Sequence, residues 1–296
     1  MASEVVPGAA DRAALGRARA AAQGRIRWEL LTQLVRTDLK VKYQGSVLGF
    51  AWSLANPLLL MTIYYVIFTK VIPNHIEGFA IYLMAGLLPF TAFSQAVSGA
   101  SGSVTAAAGL VKKVSFPRLV LPLSSVGFAL VQFLLQLTVL LVVTVIFSPQ
   151  RIGPELLFIV PAIALLVTFA TALGILVSAL NVRYRDTSHF VEVAMLVWFW
   201  GNPILYASGM VKHALGNAYW AYFLNPMATV VTTMQRAIYN QPYYTNAQGK
   251  RVVALAEPGY AFFFRNLLLG FAISGVLLLL ARRVFNRLQA DFAEDL

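Results

Sequence analysis

Six stretches of this chain are apolar for long enough to cross a bilayer, and that limits its possible folds more than any other feature. They lie near 47–72, 79–100, 119–147, 156–180, 190–210 and 260–280. About 30 Å of hydrocarbon takes roughly 20 helical residues, and lipid offers the backbone no hydrogen-bond partners. The expectation is an all-α membrane protein with six transmembrane helices. Composition agrees, with 59% hydrophobic residues, only 12% charged and a mean hydropathy of +0.71. Soluble domains carry about 25% charged residues.

The fourth and fifth stretches are nearly continuous, and Arg183, Arg185 and Asp186 divide them. Each would cost about 2.5–3.5 kcal/mol at the centre of a membrane, against a gain of roughly 0.3–0.6 for each large aliphatic residue. The chain must turn there. Sixteen of the 23 lysines and arginines then fall on the side of the two termini. The positive-inside rule puts both termini in the cytosol.

A net charge of +11 is thereby read as topology. No basic stripe is interleaved with aromatics, so nucleic acid is not an expected partner. The chain has no cysteine, which excludes disulfides and thiol chemistry. Its three histidines (His75, His189 and His213) are scattered without metal-ligand spacing. Residues 1–24 are rich in alanine and arginine and lack the apolar core of a secretory signal. They are expected to form a disordered cytosolic tail, leaving 25–296 as one membrane domain. Between the fifth and sixth spans, 227–239 is apolar but too short to cross, and reads as a re-entrant or interfacial helix starting at Pro226. The segment 240–249 reads as an exposed, turn-rich tip.

The junction RTDLKVKYQGSVLGFAWSLANPLLLM (36–61) joins a charged amphipathic helix to the first span. In the helix expected over 25–44, Arg25, Glu29, Thr32, Gln33, Arg36 and Lys40 recur every three or four residues and form one polar stripe. Such a helix suits the headgroup layer, either as a plain anchor or as an interface for a cytosolic partner. Gly45 and Gly49 precede the span and Asn56-Pro57 lies within it; these are candidate hinges.

The loop LVKKVSFPRLVLP (110–122) is short, basic and aromatic. Lys112 and Lys113 alone would fit an ordinary cytosolic loop. Phe116 beside Pro117 suggests an exposed anchor for a partner's groove. The turn at Arg183, Arg185 and Asp186 fits either a topological corner or a gate. Aromatics cluster near the outer ends of the spans: Tyr64, Tyr65, Phe68, Tyr82, Phe90, Phe93, Trp198, Phe199, Trp200 and Tyr206. They fit an interfacial belt, or a channel lining on which sugar rings stack.

Absences constrain the energy source. There is no Gly-x-x-x-x-Gly-Lys-Ser/Thr, so the chain does not hold ATP in a P-loop. Glu192 is the one carboxylate that could sit in a span, and ion-coupled transporters usually need ionisable groups at mid-membrane. Paired catalytic carboxylates are also missing, so energy must come from a separate chain.

These motifs occur in one order: 36–61; KKVSFPRLVLP; NVRYRD; then Trp200-Gly201-Asn202-Pro203-Ile204-Leu205-Tyr206; Asn225-Pro226-Met227 with Gln235-Arg236; and the tail FNRLQADFAEDL. From about Arg25 onward the chain resembles the membrane-spanning permease subunits of bacterial ABC exporters for cell-surface polysaccharides. The resemblance implies a non-enzymatic permease domain over 25–296, located in a bacterial inner, or plasma, membrane: an interface helix, six spans between 47 and 280, and a cytosolic tail over 281–296. It also implies a homodimer paired with ATP-binding-cassette subunits that hold ATP and Mg, so that this chain carries no cofactor. The coupling elements would be Arg36, Lys40, Lys112, Lys113, Phe116, Pro117 and Arg118. Residues 220–239 would form a re-entrant pair capping the exit. Tyr64, Tyr65, Phe68, Phe90, Phe93, Trp198, Trp200 and Tyr206 would line a path for a lipid-linked polysaccharide amid membrane lipids. The rival expectations are an ABC exporter of drugs or small lipids and a membrane-embedded glycosyltransferase.

Overall fold

The computed structural model describes Gly24 and residues 28–46, 49, 51–71, 78–113, 116–240, 243–245, 251–253, 255 and 259–292. The tail expected over 1–24 (Gly24 apart), the side chain of Asn56, most of the tip at 240–249 and the last four residues lie outside the described residues. Among the described residues, helix α1 (28–43) leads through a turn into α2 (Ala51–Val66), which widens into a π-helical turn at Ile67–Val71. Helix α3 (Phe79–Ala106), the short α4 (Ala108–Lys113) and α5 (Val120–Phe147) follow. A 3-10 turn at Pro154–Phe158 runs into α6 (Ile159–Arg183), and α7 (Thr187–Trp200) comes next. Then come α8 (Ser208–Leu215), α9 (Tyr219–Tyr222), α10 (Pro226–Ile238) and finally α11 (Tyr260–Leu288). Strands β1 (Tyr243–Thr245) and β2 (Arg251–Val253) pair antiparallel, Tyr244 opposite Val252, and add a small ribbon to the expected all-α fold.

Among the described residues, four helices are long and apolar enough to cross a membrane: α3, α5, α6 with its leading 3-10 turn, and α11. At 1.5 Å per residue, their 28–30 residues rise about 42–45 Å. The other two expected spans are shorter helices, α2 with 16 residues and α7 with 14. The expected stretch 190–210 is interrupted for a visible reason. The Asn202 side chain donates to the Trp198 carbonyl at 2.6 Å and the Gly201 N–H bonds back to Val197 and Trp198, closing α7 before Pro203. The chain then turns through 201–207 and re-enters helix at α8.

Helix α3 sits at the centre. Of its most apolar stretch 78% is buried, against 28–39% for the other three long helices. Small residues let its neighbours approach, as is usual where hydrocarbon gives no hydrophobic drive between helices. A Cβ on Gly86 would lie 2.9 Å from Gln235 of α10 and 3.1 Å from Val231, and one on Gly174 of α6 would lie 3.0 Å from Ala100.

Helix α10 starts as the sequence suggests, with Pro226 in its first turn and the Asn225 side chain accepting the Met227 N–H at 3.0 Å. All 13 of its residues are buried, including Thr229, Thr232, Thr233, Gln235 and Arg236. It packs against α3, α6, α11 and the Pro154–Phe158 turn. Arg236 pairs with Glu155 at 3.1 Å, the two side chains only 9% and 10% exposed. The Asn240 side chain bridges both, and the Tyr260 hydroxyl donates to Glu155 at 2.9 Å. Arg151 lies 4.5 Å from the Tyr239 ring centroid and donates to the Tyr239 carbonyl. Breaking a buried pair leaves an uncompensated charge and costs about 3–5 kcal/mol. Glu155→Ala is therefore expected to lower the thermal midpoint of the purified chain strongly. Glu155→Met with Arg236→Met should restore much of the loss.

Candidate substrate groove and coupling surface

Along α3, Thr91, Ser94, Gln95 and Ser98 recur at helical spacing and share one face. That face does not point into the bundle. Gln95 is exposed and the other three are half-buried. Glu192, Met195, Leu196, Phe199 and Trp200 of α7 form the opposite wall of a groove of about 460 Å³. Thr91 satisfies itself on the Leu87 carbonyl at 2.8 Å. Among the described residues, Glu192 has His189 in range, at 3.9 Å, and both side chains are largely exposed. Hydrocarbon would leave such a stripe unsatisfied. The groove therefore needs water, a polar ligand or another protein surface against it.

Two of the eight aromatics expected to line a channel border this groove. Phe90 lies in the groove wall but is itself buried, edge-on to Phe199 with centroids 5.5 Å apart, and Trp200 is 66% exposed at the rim. Phe93 is corrected: it is 0% exposed, stacked on Phe169 at 5.2 Å and edge-on to Trp198, and offers no face to a passing ring. Trp198 is half-buried and its indole donates to Asn225, which in turn donates to Asn202. Tyr206 donates to the Trp200 carbonyl, while its own carbonyl accepts from the buried Tyr82 hydroxyl. Tyr64 and Phe68 pack onto the core, Phe68 against Phe79 at 4.5 Å. Tyr65 points outward at 58% exposure, away from the groove lining.

At the opposite end of α3 lies the expected coupling surface. Lys112 and Lys113 close α4 and are exposed. Phe116 departs from the expectation of an exposed anchor. It is half-buried and packs on a cluster that includes Val104, Leu121, Ile175, Val182, Phe285 and Phe292. Pro117 is also half-buried. Arg118 donates to the Gln289 carbonyl and lies 5.9 Å from the Phe292 ring centroid, so the loop is clasped to the end of α11. Arg183, Arg185 and Asp186 are exposed and make no ion pair among the described residues. Asn181, which the sequence reading passed over, ties their turn together: its side chain accepts the Ser188 N–H at 3.0 Å and reaches Thr105.

Helix α1 carries Arg36 and Lys40 exposed, as its polar stripe requires. It does not lie flat across the bundle end. Val35 packs so closely that a Cβ on Gly127 of α5 would come within 2.9 Å of it. Seven residues on, Lys42 donates to Gln132 at 2.7 Å and stands 5.4 Å from the Phe128 centroid. Gln132 is 12 residues into α5, about 18 Å from its start. Thus α1 climbs beside α5, and burial there holds the Lys42 ammonium below its ordinary pKa and pushes the Asp38 carboxyl above its own. The chain leaves α1 through Gly45 and Gly49, both at positive φ (+76 and +46), a conformation that β-carbons disfavour. Pro57 sits inside α2, where it removes one helical hydrogen bond.

A bundle of long apolar helices around a central span, with an amphipathic helix beside α5 and a polar groove on its flank, has the make-up of a multi-pass membrane protein. The chain belongs to the ABC-2 type transporter family, which matches residues 29–239. It is 32% identical to the O-antigen export system permease protein RfbA of Myxococcus xanthus over 268 residues, covering 90% of this chain and 95% of that protein. It is 31% identical to the RfbA of Klebsiella pneumoniae over 270 residues, covering 91% and 95%. Similarity to the polysialic acid transport protein KpsM of Escherichia coli is 22% over 210 residues, 68% of this chain and 78% of that one.

The absence of cysteine makes the groove easy to test. With Ser98→Cys, a hydrophilic thiol reagent should modify the protein in membranes. With Val276→Cys, on the outward apolar face of α11, the same reagent should not react.

Proposed function

We propose that this chain is the membrane subunit of an ATP-driven exporter that moves a lipid-linked polysaccharide from the cytosol across the plasma membrane. The observation that carries the reading is the α3–α7 groove, which sets a row of hydroxyl and amide groups beside the exposed indole of Trp200. Sugars need both, donors and acceptors for their hydroxyls and flat apolar faces for their C–H surfaces. The relatives named as O-antigen export permeases, 31–34% identical over most of the chain, support the same class of substrate.

In this reading the working unit is a homodimer. The groove is one wall of a path that a second copy closes, and the outward apolar residues of α7, such as Val193, Leu196 and Val197, border the same face. Six crossings result when α2 with its π turn serves as the first span. The fifth is α7 together with the turn after it, and residues 220–239, with α9 and α10, form the re-entrant pair that caps the exit. Both termini lie in the cytosol. The chain is not itself an enzyme and holds no cofactor; a separate ATP-binding-cassette subunit supplies ATP and Mg.

That subunit docks on Lys112, Lys113, Arg36 and Lys40. Its motion passes through Phe116 and Arg118 into the cluster at the ends of α3, α5, α6 and α11, and through α1 and Lys42 into α5. Gly45 and Gly49, with Pro57 above them, are the joint at which α2 swings relative to α1. Arg183, Arg185 and Asp186 flank the cytosolic mouth. A two-state element of this kind is what nucleotide-driven closure requires.

Lys112→Glu with Lys113→Glu should abolish display of the surface polysaccharide while the protein stays folded in the membrane; surface glycan at the wild-type level would overturn the reading. Trp200→Ala should slow export several-fold with an unchanged thermal midpoint. Trp198→Ala should instead lower the midpoint, since it removes a hydrogen bond to Asn225 and the packing on Phe93.

A further inference from the structure

We propose that a second cleft, at the basic end of the bundle, holds an anionic membrane phospholipid. The cleft lies between α1, the loop into α5, α6 and α11, and has a volume of about 530 Å³. That is within the roughly 300–1,000 Å³ of ordinary ligand sites. Leu31, Leu123, Ile175 and Leu278 supply apolar wall. Arg282 stands one helical turn beyond Leu278, and Arg118 faces it from the loop. No carboxylate is among the described lining residues.

The chemistry points to one occupant. An apolar cleft on a protein immersed in a bilayer fills with hydrocarbon rather than with water, which would find too few polar partners there. An acyl chain lying along Leu123, Ile175 and Leu278 brings its headgroup to the level of the two guanidiniums. Arginine forks match phosphate oxygens, and basic pockets between spans select anionic headgroups. Arg118 uses one of its five N–H donors on the Gln289 carbonyl, and Arg282 is exposed and makes no ion pair among the described residues. The cleft shares no residue with the α3–α7 groove, so a transported lipid held here would be off the path. The inference is independent of what the groove conducts.

The consequence concerns coupling. A phospholipid seated here touches α1, the 117–120 turn and the end of α11 together. It would brace the elements that meet at Arg118.

The full-length chain, purified in mild detergent, should retain dioleoyl phosphatidylglycerol in native mass spectrometry about tenfold better than dioleoyl phosphatidylcholine, a difference of about 1.4 kcal/mol. Arg282→Gln changes an exposed side chain and should erase that preference without moving the thermal midpoint. Ile175→Trp, which fills the cleft, should lower retention of both lipids. Equal retention of the two lipids by the wild type, or a preference that survives Arg282→Gln, overturns the proposal. So does Arg282-dependent retention of undecaprenyl phosphate in preference to phosphatidylglycerol, which would assign the cleft to a transported lipid.

Discussion

Enclosing α10 is the constraint on which the rest of the structure depends. This helix brings three threonines, a glutamine and an arginine into the middle of a bundle built for lipid. Unpaired polar atoms are far more costly in a low-dielectric interior than in water. The charged and amide groups find partners and Thr232 bonds back to the Ala228 carbonyl, while the Thr229 and Thr233 hydroxyls meet no protein partner among the described residues. Glu155 meets Arg236, Asn240 bridges them, and Gln235 donates to the Pro203 carbonyl at 2.8 Å. The last bond explains more than α10 itself. It fixes the turn at 201–206, and that turn ends α7. The position of the groove wall is therefore set from the far side of the bundle, through α10 and Asn202, rather than by α7 alone.

The opposite end is organised around aromatic and arginine contacts with the C-terminal part of α11. Phe116, expected as a free anchor, is instead part of the packing that includes Phe285 and Phe292. A force applied at the 112–118 loop would reach α11 through Arg118 and reach α3, α5 and α6 through Phe116. In the proposed exporter the charged residues make the contact and the phenylalanine passes the displacement inward. That division suits a short loop whose tip is basic and whose return is apolar.

Much of this architecture is legible in the residues. The four long spans, the corner at Arg183–Asp186 and the Asn225-Pro226 start of α10 follow from apolar length, charge cost and capping chemistry. Harder to read were the features that depend on which helix meets which. Nothing local distinguishes Phe93, locked between Phe169 and Trp198, from Phe90, which borders the groove; both are phenylalanines on α3 near its outer half. Nothing local marks Glu155, because its partner, Arg236, is 81 residues away. The stripe of Thr91, Ser94, Gln95 and Ser98 was readable by spacing, but the eye goes first to the aromatics around it. The climb of α1 beside α5 was hidden because an amphipathic pattern fits a flat and a tilted helix equally well.

The early end of α7 has a further consequence. A helix of 14 residues rises only about 21 Å, while its neighbours rise about twice that. Above it stands the hydrogen-bonded assembly of Asn202, Asn225, Tyr206 and Tyr222 rather than hydrocarbon. For a hydrophilic chain travelling along this flank, the low-dielectric stretch is therefore nearer two-thirds of a bilayer core than the whole. In the proposed exporter, part of the lowering of the barrier to crossing is thus built into the fold of this chain itself.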